Sequence, residues 1–184
     1  ARLLATRGHA QRRAGDVDAA IVTLKEVLAL RERTWGPDHY AVAEPLGALG
    51  MAYASKGRHA EAVEAIERAR AVLRAAYGDQ HPNYASTLQN LGSTHFMHGH
   101  YADALALYQE AYRLFRDGLG PRHPNVAVLA YNVGTTLAWM ERYDEALPYV
   151  QQARDIEAEV HGARSLVTSR SAYLLAEVHL RAGS

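Results

Sequence analysis

Cysteine is absent from the 184 residues. That excludes disulfides, thiolate metal sites and a cysteine nucleophile, and it fits a reducing, cytoplasmic setting. Net charge is absent too, with 20 basic and 20 acidic residues. A balanced chain has little to offer nucleic acid or an anionic membrane. No apolar run is long enough to span a bilayer, and no signal-peptide pattern is present. β-Branched residues are few and alanine is abundant, which favours helix over strand. The sequence has no Gly-rich phosphate loop, no HExxH and no Gly-x-Ser-x-Gly. The expectation is a non-enzymatic protein that needs no cofactor. The chain begins at Ala1 rather than methionine, so it reads as a fragment of a longer protein.

What is present is a repeat. Apolar residues make up 48% of the chain, enough for a sizeable core. His81-Pro82 recurs as His123-Pro124, 42 residues on, and the same step reaches back to His39 and forward to Ser165. A fixed period of roughly 20–50 residues signals a stacked array, because one unit cannot bury its apolar face alone. Within 81–122 there are two helical patterns. Tyr84, Leu88, Leu91, Gly92, His95 and Phe96 share one face, and Tyr101, Ala104, Leu105, Tyr108, Ala111, Tyr112 and Phe115 share another. Gly99 separates them, and the run from Gly118 to Pro121 ends the second. Pro82 and Pro124 suit first helical turns.

This plan predicts one array over residues 1–184. Its units are about 1–38, 39–80, 81–122 and 123–164, with a final unpaired helix at 165–182. Nine helices are expected: about Arg2–Ala14, Val17–Arg33, Val42–Lys56, His59–Tyr77, Asn83–His98, Tyr101–Asp117, Asn125–Glu141, Tyr143–Val160 and 165–182. Asp16 suits the N-cap of the second. Pro45 and Pro148 fall near helix starts, where a missing N–H bends the entry. In the last helix Tyr173, Leu175, Ala176 and His179 occupy first-helix columns. Its missing partner would leave Leu174 and Leu180 exposed, which suggests truncation. The first 38 residues are basic and residues 141–162 acidic, an asymmetry that allows weak head-to-tail self-association.

The aligned columns read Leu46-x2-Leu49-Gly50-x2-Tyr53, Leu88-x2-Leu91-Gly92-x2-His95 and Ala130-x2-Val133-Gly134-x2-Leu137. They are followed by Ala62-x3-Ile66, Ala104-x3-Tyr108 and Ala146-x3-Val150. This resembles the tetratricopeptide pattern. The longer unit and the linker LGPRHPNVA at 119–127 are similar to the kinesin-light-chain type of that repeat. The resemblance implies an all-α, right-handed α-α superhelix that binds proteins in its concave groove. HEAT and armadillo repeats have similar periods but lack the small-residue column Gly8, Gly50, Gly92, Gly134, Ala176.

In such proteins the first helix of each pair lines the groove, often with an asparagine just before the Leu-Gly pair. Asn90 and Asn132 match that position. An amide both donates and accepts, which suits an extended peptide backbone; equally, it can tie helices together. Groove neighbours are Gln89, Tyr131 and Tyr173 in one column, Ser93 and Thr135 in another, and Met97 and Trp139 in a third. The arginine that kinesin-light-chain repeats carry late in the second helix is matched by Arg31 alone; Leu73, Phe115 and Glu157 replace it. The partner expected is therefore a protein or peptide. A structural spacer, or a regulatory arm of an enzyme whose catalytic domain lies elsewhere, are the rival readings. His95, His98 and His100 form a cluster with metal-ligand residue types. It is read as one packed and two surface histidines, so no metal site is expected. His39, His81 and His123 are read as loop-fixing.

Overall fold

The computed structural model describes Thr6, Ala10, Gln11 and residues 15–183. Among the described residues there are eight α-helices and no strand. They are α1 (Val17–Trp35), α2 (Ala43–Ser55), α3 (His59–Tyr77), α4 (Pro82–Met97), α5 (Tyr101–Leu119), α6 (Pro124–Trp139), α7 (Tyr143–His161) and α8 (Leu166–Ala182). A 3₁₀ turn at Tyr40–Val42 leads into α2. The helix expected at about Arg2–Ala14 lies largely outside the described residues, as does Gly8 of the small-residue column. No described helix is long and apolar enough to cross a membrane.

The helix starts follow from local chemistry. The Asp16 carboxylate accepts from the Ala19 amide at 3.2 Å. The periodic histidines are N-caps: Nδ1 of His39, His81 and His123 accepts the amide of Ala41, Asn83 and Asn125 at 3.1–3.2 Å. Ser165 does the same job in the same column, accepting from the Thr168 amide at 3.2 Å. Each cap satisfies one of the orphan donors of a first turn. Pro45 sits in the first turn of α2, where no intrahelical donor is lost. Pro148 lies deeper, inside α7.

The turn between the two helices of a pair needs a left-handed residue. Gly57 supplies it with φ +72° and Gly99 with φ +78°. In the third such turn the residue is Glu141, at φ +60°. A side chain there carries a conformational cost that glycine avoids.

The chain forms two compact units, residues 1–99 and 100–184. In the first, α1 to α4 pack in chain order and α2 also touches α4; in the second, α5 to α8 do the same and α6 touches α8. The small-residue column is where paired helices meet. A Cβ at Gly50 would lie 2.3 Å from Ile66 Cγ1 and 3.0 Å from the Ala62 carbonyl oxygen, and one at Gly134 would lie 2.4 Å from Val150 Cγ2. Around these contacts sit Leu24, Leu49 and Ala52 in the first unit, and Leu129, Val133 and Leu137 in the second, all nearly fully buried. Each such side chain contributes about 1.5–3 kcal/mol of burial.

The last helix departs from expectation at one residue. Leu180 is 76% exposed, but Leu174 is buried. The position before the small-residue column faces back onto the preceding pair, so Leu174 has a packing surface whatever lies beyond α8. It lines a cleft with Thr135 and Trp139 of α6.

Candidate functional site

The first unit carries a cleft of about 640 Å³ between α2 and α4. It forms because Gly47 and Ala48 of α2 are small where they face Ser86 and Asn90 of α4. A Cβ at Gly47 would come within 3.7 Å of Asn90 Nδ2, so a larger side chain there enters the space beside the amide. Arg31, at the tail of α1, closes one side. Its guanidinium donates to the Ala41 carbonyl at 2.6 Å and pairs with Glu44 at 2.6 Å. The one groove arginine that matches the family position is thus neutralised within the protein.

Asn90 is half-buried. Its backbone carbonyl accepts from Thr94 Oγ1 at 3.0 Å. Its side-chain amide takes no hydrogen bond from the described residues. Gln89 and Ser93 flank it, half-buried, and Met97 lies farther along α4, 53% exposed. At the mouth of the cleft Tyr40 and Tyr77 stand with ring centres 5.5 Å apart, and Tyr77 stacks on His81 at 4.5 Å. The sequence reading missed Gly47, Met51, Tyr40 and Tyr77. The available signal was the closing position of α1 and α3, Trp35 and Tyr77, aromatic in both and followed by glycine.

The second unit presents the same stations filled differently. Tyr131 occupies the place of Gly47, and the Arg170 guanidinium lies 4.0 Å over its ring. Asn132 is half-buried. Its carbonyl accepts from Thr136 Oγ1 at 2.7 Å, while its side-chain amide, like that of Asn90, takes no bond from the described residues. A smaller cleft of about 340 Å³ lies farther along, lined by Thr135, Trp139, Leu174 and Arg181 among others. Trp139 is 62% exposed and stacks on Tyr101 with ring centres 5.8 Å apart. Tyr173 is 74% exposed. Of the nine expected groove residues, Asn90 lines the first cleft and Thr135 and Trp139 the second. Gln89, Ser93, Met97, Tyr131, Asn132 and Tyr173 lie on the same helices outside both.

Of the histidine cluster, His95 and His98 lie at the end of α4, each half-buried, and His59 of α3 stands beside them. Nothing in the local sequence pointed to His59, which belongs to the preceding repeat.

The comparisons agree with this architecture. The family model for the tetratricopeptide repeat matches residues 1–74, 46–117 and 118–184. No curated protein matches the chain. Among solved structures, the nearly identical TPR-like repeats assigned to a kinesin light chain of Podosopora anserina superpose with a TM-score of 0.82 at 20% identity, over 99% of this chain and 86% of that one. BtubC (BKLC) from P. vanneervenii gives 0.84 at 21% identity, over 98% and 72%. MamA gives 0.58 at 19% identity, over 96% and 94%. At these identities the likeness is one of fold. Matched by the family model along its length, the chain belongs to the tetratricopeptide-repeat family, and its solved neighbours include kinesin-light-chain-like arrays.

Proposed function

We propose that the chain is a non-enzymatic interaction module whose groove binds an extended peptide segment of a partner protein, with the cleft of the first unit as the principal seat. The observation that carries this is the Asn90 amide. It is half-buried, takes no hydrogen bond from the described residues, and borders a cleft that Gly47 keeps open. An asparagine that served to tie helices would be bonded within the protein. One that reads a ligand must be open before the ligand arrives, and its amide matches both groups of a peptide unit. The volume lies within the range of pockets that enclose a ligand group. Tyr40 and Tyr77 at the mouth supply rigid aromatic surface of the kind that anchors bound side chains. Because Arg31 is spent on Glu44 and the Ala41 carbonyl, the cleft has no free cation there to demand an acidic ligand. Asn132 extends the same backbone reading in the second unit, with Tyr131 and Trp139 as apolar contacts.

The test is titration of a peptide selected from a displayed library on the whole chain. Asn90→Ala should weaken binding about two- to tenfold, the worth of one hydrogen bond of about 0.5–1.5 kcal/mol. Asn132→Ala should cost less, and the double variant most, all with unchanged melting. Unchanged binding with a lowered melting temperature would show both residues to be structural and end this reading.

A further inference from the structure

We propose that His59, His95 and His98 form a binding site for one divalent transition-metal ion of the zinc, nickel or copper class. The site lies at one end of the helix pair in the first unit. The tight turn at Gly57 reverses the chain from α2 and delivers His59 as the first residue of α3. His95 and His98 sit three residues apart at the end of α4, a spacing that puts them on one face. Three imidazoles from two helices thus meet in one place, although the sequence separates His59 from the other two by a helix and a linker. This departs from the expectation of no metal, which weighed His95 and His98 with only their sequence neighbour His100.

The geometry suits a shared ion. The His59 and His95 ring centres are 5.3 Å apart and the rings are nearly perpendicular, at 73°. Each ring offers a nitrogen, and the two lie within 4.8 Å of one another. Zinc–nitrogen bonds of about 2.0–2.1 Å at a tetrahedral angle place two ring centres about 5 Å apart. His98 lies closer to His59, with ring centres 4.2 Å apart at 48°. A modest swing about its side-chain bonds brings it to the same separation.

The tautomer of His98 is set for ligation. Its Nδ1 lies 2.8 Å from the Thr94 carbonyl oxygen. A carbonyl only accepts, so Nδ1 carries the proton and Nε2 keeps its lone pair. A backbone carbonyl holding the far nitrogen is the usual outer-shell support of a metal-bound histidine. The adjacent cation is turned away: Arg58 lies over the Tyr53 ring at 4.5 Å and pairs with Glu61. All three histidines are half-buried, so an ion has a path in. Three imidazoles without thiolate or carboxylate favour zinc, nickel, copper or cobalt over magnesium and calcium.

The experiment uses the whole chain without a polyhistidine tag, stripped with chelator. Melting is followed with Zn²⁺, Ni²⁺ or Mg²⁺, and Zn²⁺ binding by calorimetry. The expected result is one Zn²⁺ per chain and a melting temperature raised by several degrees with Zn²⁺ and Ni²⁺. Mg²⁺ should do nothing. Co²⁺ should give the visible absorption of a low-coordinate site. His59→Gln, His95→Gln and His98→Gln should each weaken Zn²⁺ binding at least tenfold while melting of the stripped chain stays near wild type. If His95→Gln, the most enclosed position, fails to fold, His59→Gln and His98→Gln decide the matter. No heat and no shift with Zn²⁺ overturns the proposal. So does a shift that survives His59→Gln, or one lost in His100→Gln but kept in His98→Gln.

Discussion

The two units are the same frame offset by 84 residues: Val17 begins one and Tyr101 the other. Where they agree, a backbone contact or a helix end is at stake. Gly50 and Gly134 both abut the partner helix. His81 and Ser165 both cap a first turn. Arg58–Glu61 and Arg142–Glu145 repeat the same ion pair at the start of α3 and of α7. Where they differ, the position faces the groove: Gly47 against Tyr131, Ser86 against Arg170, Ala48 against Asn132. The frame tolerates no change where a side chain would meet backbone, and it leaves the groove stations free to diverge. A cleft therefore opens at Gly47, while in the second unit a tyrosine capped by an arginine fills the corresponding station.

The strongest way to break this comparison is to attack the shared column. Gly50→Leu and Gly134→Leu should each destabilise by about 3 kcal/mol, the upper part of the usual overpacking range. Gly50 should suffer more, because the Ala62 carbonyl stands 3.0 Å from its added Cβ, whereas the backbone nearest Gly134 is the Val150 amide nitrogen at 3.3 Å. Chemical denaturation measures both. Equal midpoints to wild type would remove the column from the core.

A second difference lies behind the groove. Leu73 packs in an apolar cluster with Val42, Leu46 and Val72. Its counterpart is Glu157, 3% exposed, with neither carboxylate oxygen hydrogen-bonded. A buried carboxylate without a partner is costly, and an apolar side chain of similar size is often better by about 1–4 kcal/mol. Glu157→Leu should accordingly raise stability by about 2 kcal/mol, read from the denaturation midpoint. A fall would show that the carboxylate has a partner in solution, for which Arg170, held over Tyr131, is the cation to test by Arg170→Gln.

The frame was legible in the sequence because its rules are local or periodic. Glycine at Gly57 and Gly99, a cap before Pro82 and Pro124, and small residues every 42 positions each announce themselves. The groove was legible only by column. The asparagines were found, but the opening at Gly47 was not, since a glycine inside a helix does not reveal what its missing side chain leaves empty. His59 was invisible for a related reason: its neighbours come from another repeat. Leu174 was misread because its column faces the pair behind it, while the reading considered only the missing pair ahead.

The groove difference can be transplanted. Gly47→Tyr should fill the first cleft and weaken binding of the selected peptide at least tenfold, about 1.4 kcal/mol. Folding should not suffer, since tyrosine has the higher helix propensity and the added Cβ meets only Asn90 at 3.7 Å. Undiminished binding would move the ligand out of this cleft.

The turns differ as well. Glu141 stands at φ +60° where the equivalent residue of the first unit is Gly57. Glu141→Gly should stabilise by about 1 kcal/mol, the cost of a side chain in the left-handed region, offset in part by the freer unfolded chain. Gly57→Ala should lose a similar amount. If both changes are neutral in thermal melts, the turn is not the constraint it looks to be.

The smallest expected difference concerns the ion pairs the units share. The hydrogen bond from Arg58 holds the Glu61 carboxyl below the ordinary glutamate range, and Arg142 does the same for Glu145. A carboxyl lowered in the folded state adds stability above its unfolded pKa, and loses it as the pH falls through the folded value. Both pairs are exposed, so the gain is small and screened by salt. Glu61→Gln and Glu145→Gln should therefore melt slightly below wild type at neutral pH and converge with it in acid, with 0.5 M salt closing the gap. The two pairs are not equal. Glu61 is also lowered by Lys25, and Arg58 lies over the Tyr53 ring, whereas Glu145 has Arg142 alone. The gap for Glu61→Gln should exceed that for Glu145→Gln. Equal gaps would mean that the extra charges around Glu61 are fully screened by solvent, and that here the two units behave as identical copies.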